Sequence, residues 1–372
     1  MMIRRALLLA AISASLIAAR AEAAERWSVE KARDWYGKQA WPIGCNYLPS
    51  TAINQLEMWQ APTFDLPTID RELGWAEGLG FNTVRVFLHD LAWQKDRTDD
   101  FRRIERFLEV AKRHKIKVMF VIFDSCWDPN PASGPQRAPT PGVHNSGWVQ
   151  SPGLAILKDP ARRDELESYV KALLGYFQAD DRILAWDLFN EPDNDNRSSY
   201  GKLEPPNKAE MSLDLLRKTF AWAREIGPTQ PLTSGVWVGD WSLDQASPTA
   251  KLQLEQSDII SFHDYSKLPV LQERVAKLRK LGRPLLCTEY MARPAGSTFE
   301  PNLGYLREQG IGAYNWGFVD GKSQTAYPWD SWQKPYASKP EVWFHDIFKQ
   351  DGTPYDPKEV AYIKTLTAPA QP

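Results

Sequence analysis

Short apolar runs and longer amphipathic segments take turns along almost the whole chain, and this alternation constrains its fold more than any other feature. The runs are residues 41–46, 82–88, 117–123, 183–189, 230–236, 258–263, 284–289 and 311–316. They are too short for typical globular helices and apolar on successive positions, the pattern of strands covered on both faces. Between them, spacing near 3.6 residues predicts helices over 69–79, 100–114, 161–178, 208–226, 271–281 and 301–309. A less regular segment at 242–256 and a closing helix over 340–348 complete the series. Eight strand–helix units of this kind predict an α/β fold, a (β/α)8 TIM barrel.

The chain has 372 residues, 43% hydrophobic and 25% charged, which fits a barrel. No linker, repeat or low-complexity segment divides it, so residues 25–372 read as a single domain. Ahead of them, Arg4 and Arg5 precede an apolar stretch over 6–19 and then small residues, the order of a secretory signal cut after Ala23 or Ala24. A periplasmic or secreted location is therefore expected. No later apolar run reaches the ~20 residues of a membrane span, so no membrane anchor is expected.

Removing that segment leaves 42 basic and 46 acidic residues, moving the formal charge from −2 to −4. Mild acidity argues against nucleic acid as a partner. Cys45, Cys126 and Cys287 are odd in number, so at least one is unpaired within the chain. Each reads first as a buried small thiol, with a Cys45–Cys126 bridge as the alternative.

Two strand-ending glutamates carry the chemistry. Glu191 closes the run beginning at Ile183 and is followed by Pro192, and Glu289 closes the run beginning at Pro284. A carboxylate there is held by rigid backbone yet points out of the core, and two facing each other can divide acid and nucleophile roles between them. The long irregular stretches after the third and eighth strands, 125–153 and 319–339, are rich in Trp, Pro and Gly and lie where a barrel builds its sites.

With the strands counted, Asn190-Glu191-Pro192 ends the fourth and Glu289 the seventh. In this the chain resembles glycoside hydrolase family 5, the cellulase-like members of the clan A retaining glycosidases, over essentially all of the sequence after the leader. The resemblance implies Glu191 as acid/base, Glu289 as nucleophile, and carboxyl groups about 5–5.5 Å apart. It further implies that Arg85 on the second strand keeps Glu289 ionised and that Asn190 meets the sugar 2-hydroxyl. His263 would lie beside the acid/base, Tyr265 would orient the nucleophile, and Trp316 on the eighth strand would form the floor under the cleaved sugar. Aromatic planes stack on the apolar faces of sugar rings. Trp59, Trp93, Trp127, Trp148, Trp237, Trp241, Trp329 and Trp332 are further candidate walls, about half of the sixteen tryptophans being expected in the core.

The chain departs from the family after strand three, where a histidine is common and Asp124-Ser125-Cys126-Trp127 stands instead. Polar contact with the sugar is therefore sought from Asp124, His89 or His144, while Asp187 reads as a buried structural partner. Zinc-spaced histidines, an acidic calcium loop, a phosphate-cradling glycine loop and a Gly-x-Ser-x-Gly elbow are all missing from the sequence, so no cofactor or metal is expected. The reading is an exported retaining β-glycoside hydrolase acting on a carbohydrate substrate of glucan, mannan or xylan type. A non-catalytic carbohydrate-binding barrel and a transglycosylase are the alternatives.

Overall fold

The computed structural model describes residues 24–368. The expected leader lies outside them, Ala24 apart. All eight apolar runs form strands: β1 (Ile43–Asn46), β2 (Thr83–Phe87), β3 (Lys117–Asp124), β4 (Ile183–Asn190), β5 (Leu232–Thr233), β6 (Ile260–His263), β7 (Leu285–Tyr290) and β8 (Gly312–Asn315). They pair in parallel in the order β5-β4-β3-β2-β1-β8-β7-β6. A parallel bridge between Val236 and Phe262 joins the two ends of the sheet, making a nearly closed barrel.

A helix follows every strand: α1 (Leu66–Gly78), α2 (Arg97–Arg113), α3 (Arg163–Tyr176), α4 (Lys208–Ile226), α5 (Pro248–Gln256), α6 (Leu268–Arg279), α7 (Gly304–Glu308) and α8 (Pro357–Thr367). Several starts are written in the sequence as a capping residue before proline. Ser247 accepts from the Ala250 amide ahead of α5, and Asp356 from the Lys358 amide ahead of α8. The side chain satisfies an orphan helix N–H, and the proline occupies a position where no N–H is needed.

The closing helix is not where periodicity put it. Residues 340–348 are irregular, and all six side chains from Trp343 to Phe348 are buried. A helix at the barrel surface buries one stripe, so six consecutive buried side chains require a non-helical path. The helix comes later, at α8.

Side chains alternate along the strands between the helical shell and the barrel interior. Outward, Trp186 stacks on Phe120 at 5.7 Å between ring centres. Inward, Met119, Ala185, Leu286 and Tyr314 form a separate cluster that includes Trp27 and Ala32 of the N-terminal segment. Above this plug the inward positions turn polar, with Arg85, Asp187 and Asn46 all buried. The site is built on that polar layer.

Candidate active site

Arg85 organises the carboxyl ends of the strands. Its Nε donates to Asp187 Oδ2 at 3.0 Å, and Nη2 donates to the same oxygen at 2.8 Å and to Asn190 Oδ1 at 2.7 Å. Nη1 donates to Asn46 Oδ1 at 2.7 Å and to Glu289 Oε1 at 2.9 Å. Every guanidinium N–H thus has an acceptor, supplied by β1, β4 and β7 to a side chain of β2. Asp187 is buried and paired with this guanidinium, the structural place expected for it.

Glu289 Oε2 accepts from the Tyr265 hydroxyl at 2.8 Å. Burial pushes Glu289 above the usual carboxylate range, with Arg85 and Tyr265 opposing the rise. Glu191 has no cation in contact. Its Oε2 accepts from Asn194 Nδ2 at 2.7 Å and from the Cys126 thiol at 3.3 Å, and its Oε1 lies 2.8 Å from His263 Nδ1. Burial pushes the Glu191 pKa up to about 7. Of the two carboxyl groups, Glu289 is the one whose ionised form is favoured by a guanidinium in contact, and ionising both would leave Glu191, Glu289 and Asp187 facing that single guanidinium.

Glu191 also sits at φ +43°, a left-handed conformation uncommon outside glycine. This turn at the end of β4 swings the side chain over the barrel mouth, and the Asn194 amide donating to the Glu191 carbonyl at 2.9 Å secures it. His263 bridges the pair, its Nδ1 lying 3.5 Å from Glu289 Oε2 as well. Burial lowers the His263 pKa to about 4, so the imidazole is neutral. Gly235 leaves room behind it, since a Cβ there would stand 3.4 Å from His263 Nε2. One donor atom from each of Glu191, His263 and Glu289 falls within 4.8 Å of the others. This is also metal-ligand spacing, with Arg85 already supplying positive charge at the site.

These groups open into a cavity of about 630 Å³, within the ~300–1,000 Å³ of small-molecule sites. Asn190, Glu191, His263, Tyr265, Glu289, Trp127, His144 and Trp316 line it, as do Trp237 and Trp329 among the candidate tryptophans. Trp332 stacks on Trp127 at 5.4 Å, whereas Trp59, Trp93, Trp148 and Trp241 are buried packing residues.

Two expected sugar contacts do not reach the cavity. Asp124 is buried and accepts from Asn190 Nδ2 at 2.9 Å and Trp148 Nε1 at 2.6 Å, so it orients Asn190 instead of touching substrate. His89 is buried where its Nδ1 caps a short helix, accepting from the Leu91 amide at 3.1 Å. Both side chains had backbone or side-chain partners closer than the cavity. The cysteines are all free, so the Cys45–Cys126 bridge does not form. Cys126 instead contacts Glu191, a role the sequence signalled only as the residue standing near the missing histidine. Asn194 was visible only as part of a polar loop.

A family model described as cellulase (glycosyl hydrolase family 5) matches residues 75–322. Similar solved structures include GH5_18 from Streptomyces cattleya in complex with GlcNAc, 14% identical, TM-score 0.55, covering 89% of this chain and 81% of that one. The endo-1,4-β-D-mannanase of Thermotoga petrophila is 14% identical with a TM-score of 0.54, covering 87% and 98% of the two chains. The exo-β-1,4-mannosidase Op5Man5 from Opitutaceae bacterium strain TAV5 is 19% identical with a TM-score of 0.57, covering 88% of this chain and 58% of that one. At such identities the likeness is one of fold. No curated protein matches the sequence.

Proposed function

Since the chain belongs to glycosyl hydrolase family 5, the cellulase family, and is thus a glycoside hydrolase, we propose that it cleaves β-glycosides with retention by double displacement. Glu289 attacks the anomeric carbon while Glu191 protonates the departing oxygen. Glu191 then takes a proton from water, which displaces Glu289 and releases the sugar in its original configuration. The observation that carries this reading is the spacing of the two carboxyl groups. One oxygen of each lies within 4.8 Å of the other, a close approach that suits the ~5–5.5 Å carboxyl separation of retention better than the ~6.5–9.5 Å that inversion needs to admit a water. The two side chains supply the nucleophile and both proton transfers, so the reaction as written requires no cofactor. Arg85 and Tyr265 hold the nucleophile, His263 and Asn194 hold the acid/base, and Trp316 stacks beneath the sugar.

The first substrates to try are β-mannosides, because the neighbours named above include a mannosidase and a mannanase, followed by glucosides, xylosides and their oligomers. A panel of nitrophenyl β-glycosides identifies the sugar, and proton NMR of the first product reads the stereochemistry. The β anomer is expected; α anomer formed first would mean inversion. The proposal extends to residues 25–372 as one catalytic unit and to an exported enzyme, periplasmic or secreted. Protein recovered outside the cytoplasm beginning near residue 24 or 25 would support export.

The pH dependence follows from the two environments. Glu191 must carry its proton, so kcat/KM falls tenfold per unit as pH rises above about 7, the Glu191 pKa. Glu289 must be ionised, so activity also falls on the acid side. The basic limb of kcat should flatten with a dinitrophenyl glycoside, whose leaving group needs no proton, if glycosylation limits the rate. Equal basic limbs for dinitrophenyl and alkyl glycosides in that regime would remove Glu191 from the acid role.

A further inference from the structure

The loops around the cavity are cross-tied by many hydrogen bonds on one side and by few on the other. The loop after β3 (125–153) and the loop after β8 (316–356) meet across the β1–β2 sector and are tied together by hydrogen bonds. The Asn145 amide donates to the Ser323 carbonyl at 3.1 Å, and the Tyr336 amide to the Gly142 carbonyl at 3.1 Å. Gln324 is the central knot: its Oε1 accepts from the Gly142 amide at 3.0 Å, and its Nε2 donates to the Thr140 carbonyl at 2.8 Å and the Val143 carbonyl at 3.1 Å. The loop after β4 joins the same wall, with Gln333 Nε2 donating to the Ser198 carbonyl at 3.3 Å and Tyr200 packed edge-on against Trp332 at 5.2 Å. On the opposite side the cavity is bounded by Trp237, Ser266 and Arg274, from the loops after β5 and β6 and from α6. Among the described residues the β5 side of that rim is hydrogen-bonded to neither the β3 loop nor the β8 loop; its one tie runs to the loop after β4, where Trp237 Nε1 donates to Asp193 Oδ1 at 2.7 Å, and the β6 side meets the β8 loop where Tyr265 packs edge-on against Trp329 at 5.0 Å.

The direction of the substrate follows from where the acid stands. Trp316, the sugar floor, lies on the walled side, with Phe87 and Trp148 each 5.7 Å from it. Glu191 follows β4, next to the lightly tied β5 side. The group that Glu191 protonates is the aglycone, so the aglycone points toward the lightly tied side and the glycone toward the wall. A glycone that meets a wall is a chain end.

We infer that this enzyme acts from the non-reducing end, removing terminal sugars with the rest of the chain leaving over the β5 side. This deepens the hydrolase proposal and rests on it. The probe is the β-linked hexaose of whichever sugar is turned over as its nitrophenyl glycoside, fluorescently labelled at the reducing end. The expected early products are unlabelled monosaccharide and labelled pentamer, then a ladder descending by one. Early labelled dimers or trimers, or no cleavage of that hexaose, overturn the inference while leaving the hydrolase reading intact. Failure to turn over any nitrophenyl glycoside would instead strike the hydrolase reading itself. As a second arm, Gln324→Ala unties the knot without touching the cavity lining and should raise the share of internal cuts severalfold on the same hexaose. An unchanged product ladder in a folded Gln324→Ala enzyme would mean that the tied loops do not set the end wall.

Discussion

Glu289→Ala is expected to lower kcat on activated β-glycosides by on the order of 10⁴-fold or more, with little change in the folded structure. The carboxylate it removes is the one proposed to form the glycosyl-enzyme, and its loss relieves a cluster in which Asp187 and Glu289 share one guanidinium. The truncation also leaves a space beneath the anomeric carbon. Azide entering there should restore turnover of a dinitrophenyl glycoside in a concentration-dependent way, attacking once and giving the α-glycosyl azide. Glu191 sits on the other side of the bond, so azide rescue of Glu191→Ala should give the β-azide, and that variant should keep most of its first-step rate when the leaving group is dinitrophenolate. Rate assays over an azide series and NMR of the azide products check both. A Glu289→Ala enzyme with wild-type turnover, or one whose azide product is β, would remove Glu289 from the nucleophile role.

The parts of this site that were legible in the sequence are those set by local pattern. A strand covered on both faces announces itself by a run of apolar residues, and eight such runs locate the barrel and its carboxyl ends. Asn190, Glu191 and Glu289 stand at those ends, so their convergence follows from topology. The spurious helix over 340–348 shows where pattern misleads: its apolar residues are buried all round by the β7 and β8 loops, not along one helical stripe. Contacts between residues far apart in sequence were illegible. Gln324 reaches Gly142 across the barrel mouth, and Cys126 reaches Glu191 from the loop after β3. Asp124 and His89 were sought as sugar ligands because polar strand ends often are, but each is captured by nearer donors. Residue type says what a side chain can bond, and only packing decides which partner arrives first.

Arg85 carries the second large effect, this time on stability as well as rate. Its side chain is fully buried with all its donors engaged. Arg85→Met keeps most of the apolar volume but strands two buried carboxylates, and breaking a buried ion pair from one side costs about 3–5 kcal/mol. For a chain of this size that is a fall in Tm of about 4–7 °C, readable by thermal or urea unfolding. Arg85→Lys should not rescue it, since an ammonium offers three donors from one point where β1, β4 and β7 present acceptors around a planar fork. Asp187→Asn placed on Arg85→Met should recover part of the loss, because it removes one of the two stranded charges. The remaining enzyme should show an acid limb displaced to higher pH: without the guanidinium the burial that already pushes Glu289 up goes less opposed, so the nucleophile ionises later. A structural role alone would lower Tm and leave the limb where it was. The two readouts together separate a scaffold arginine from one that also sets the charge of the nucleophile.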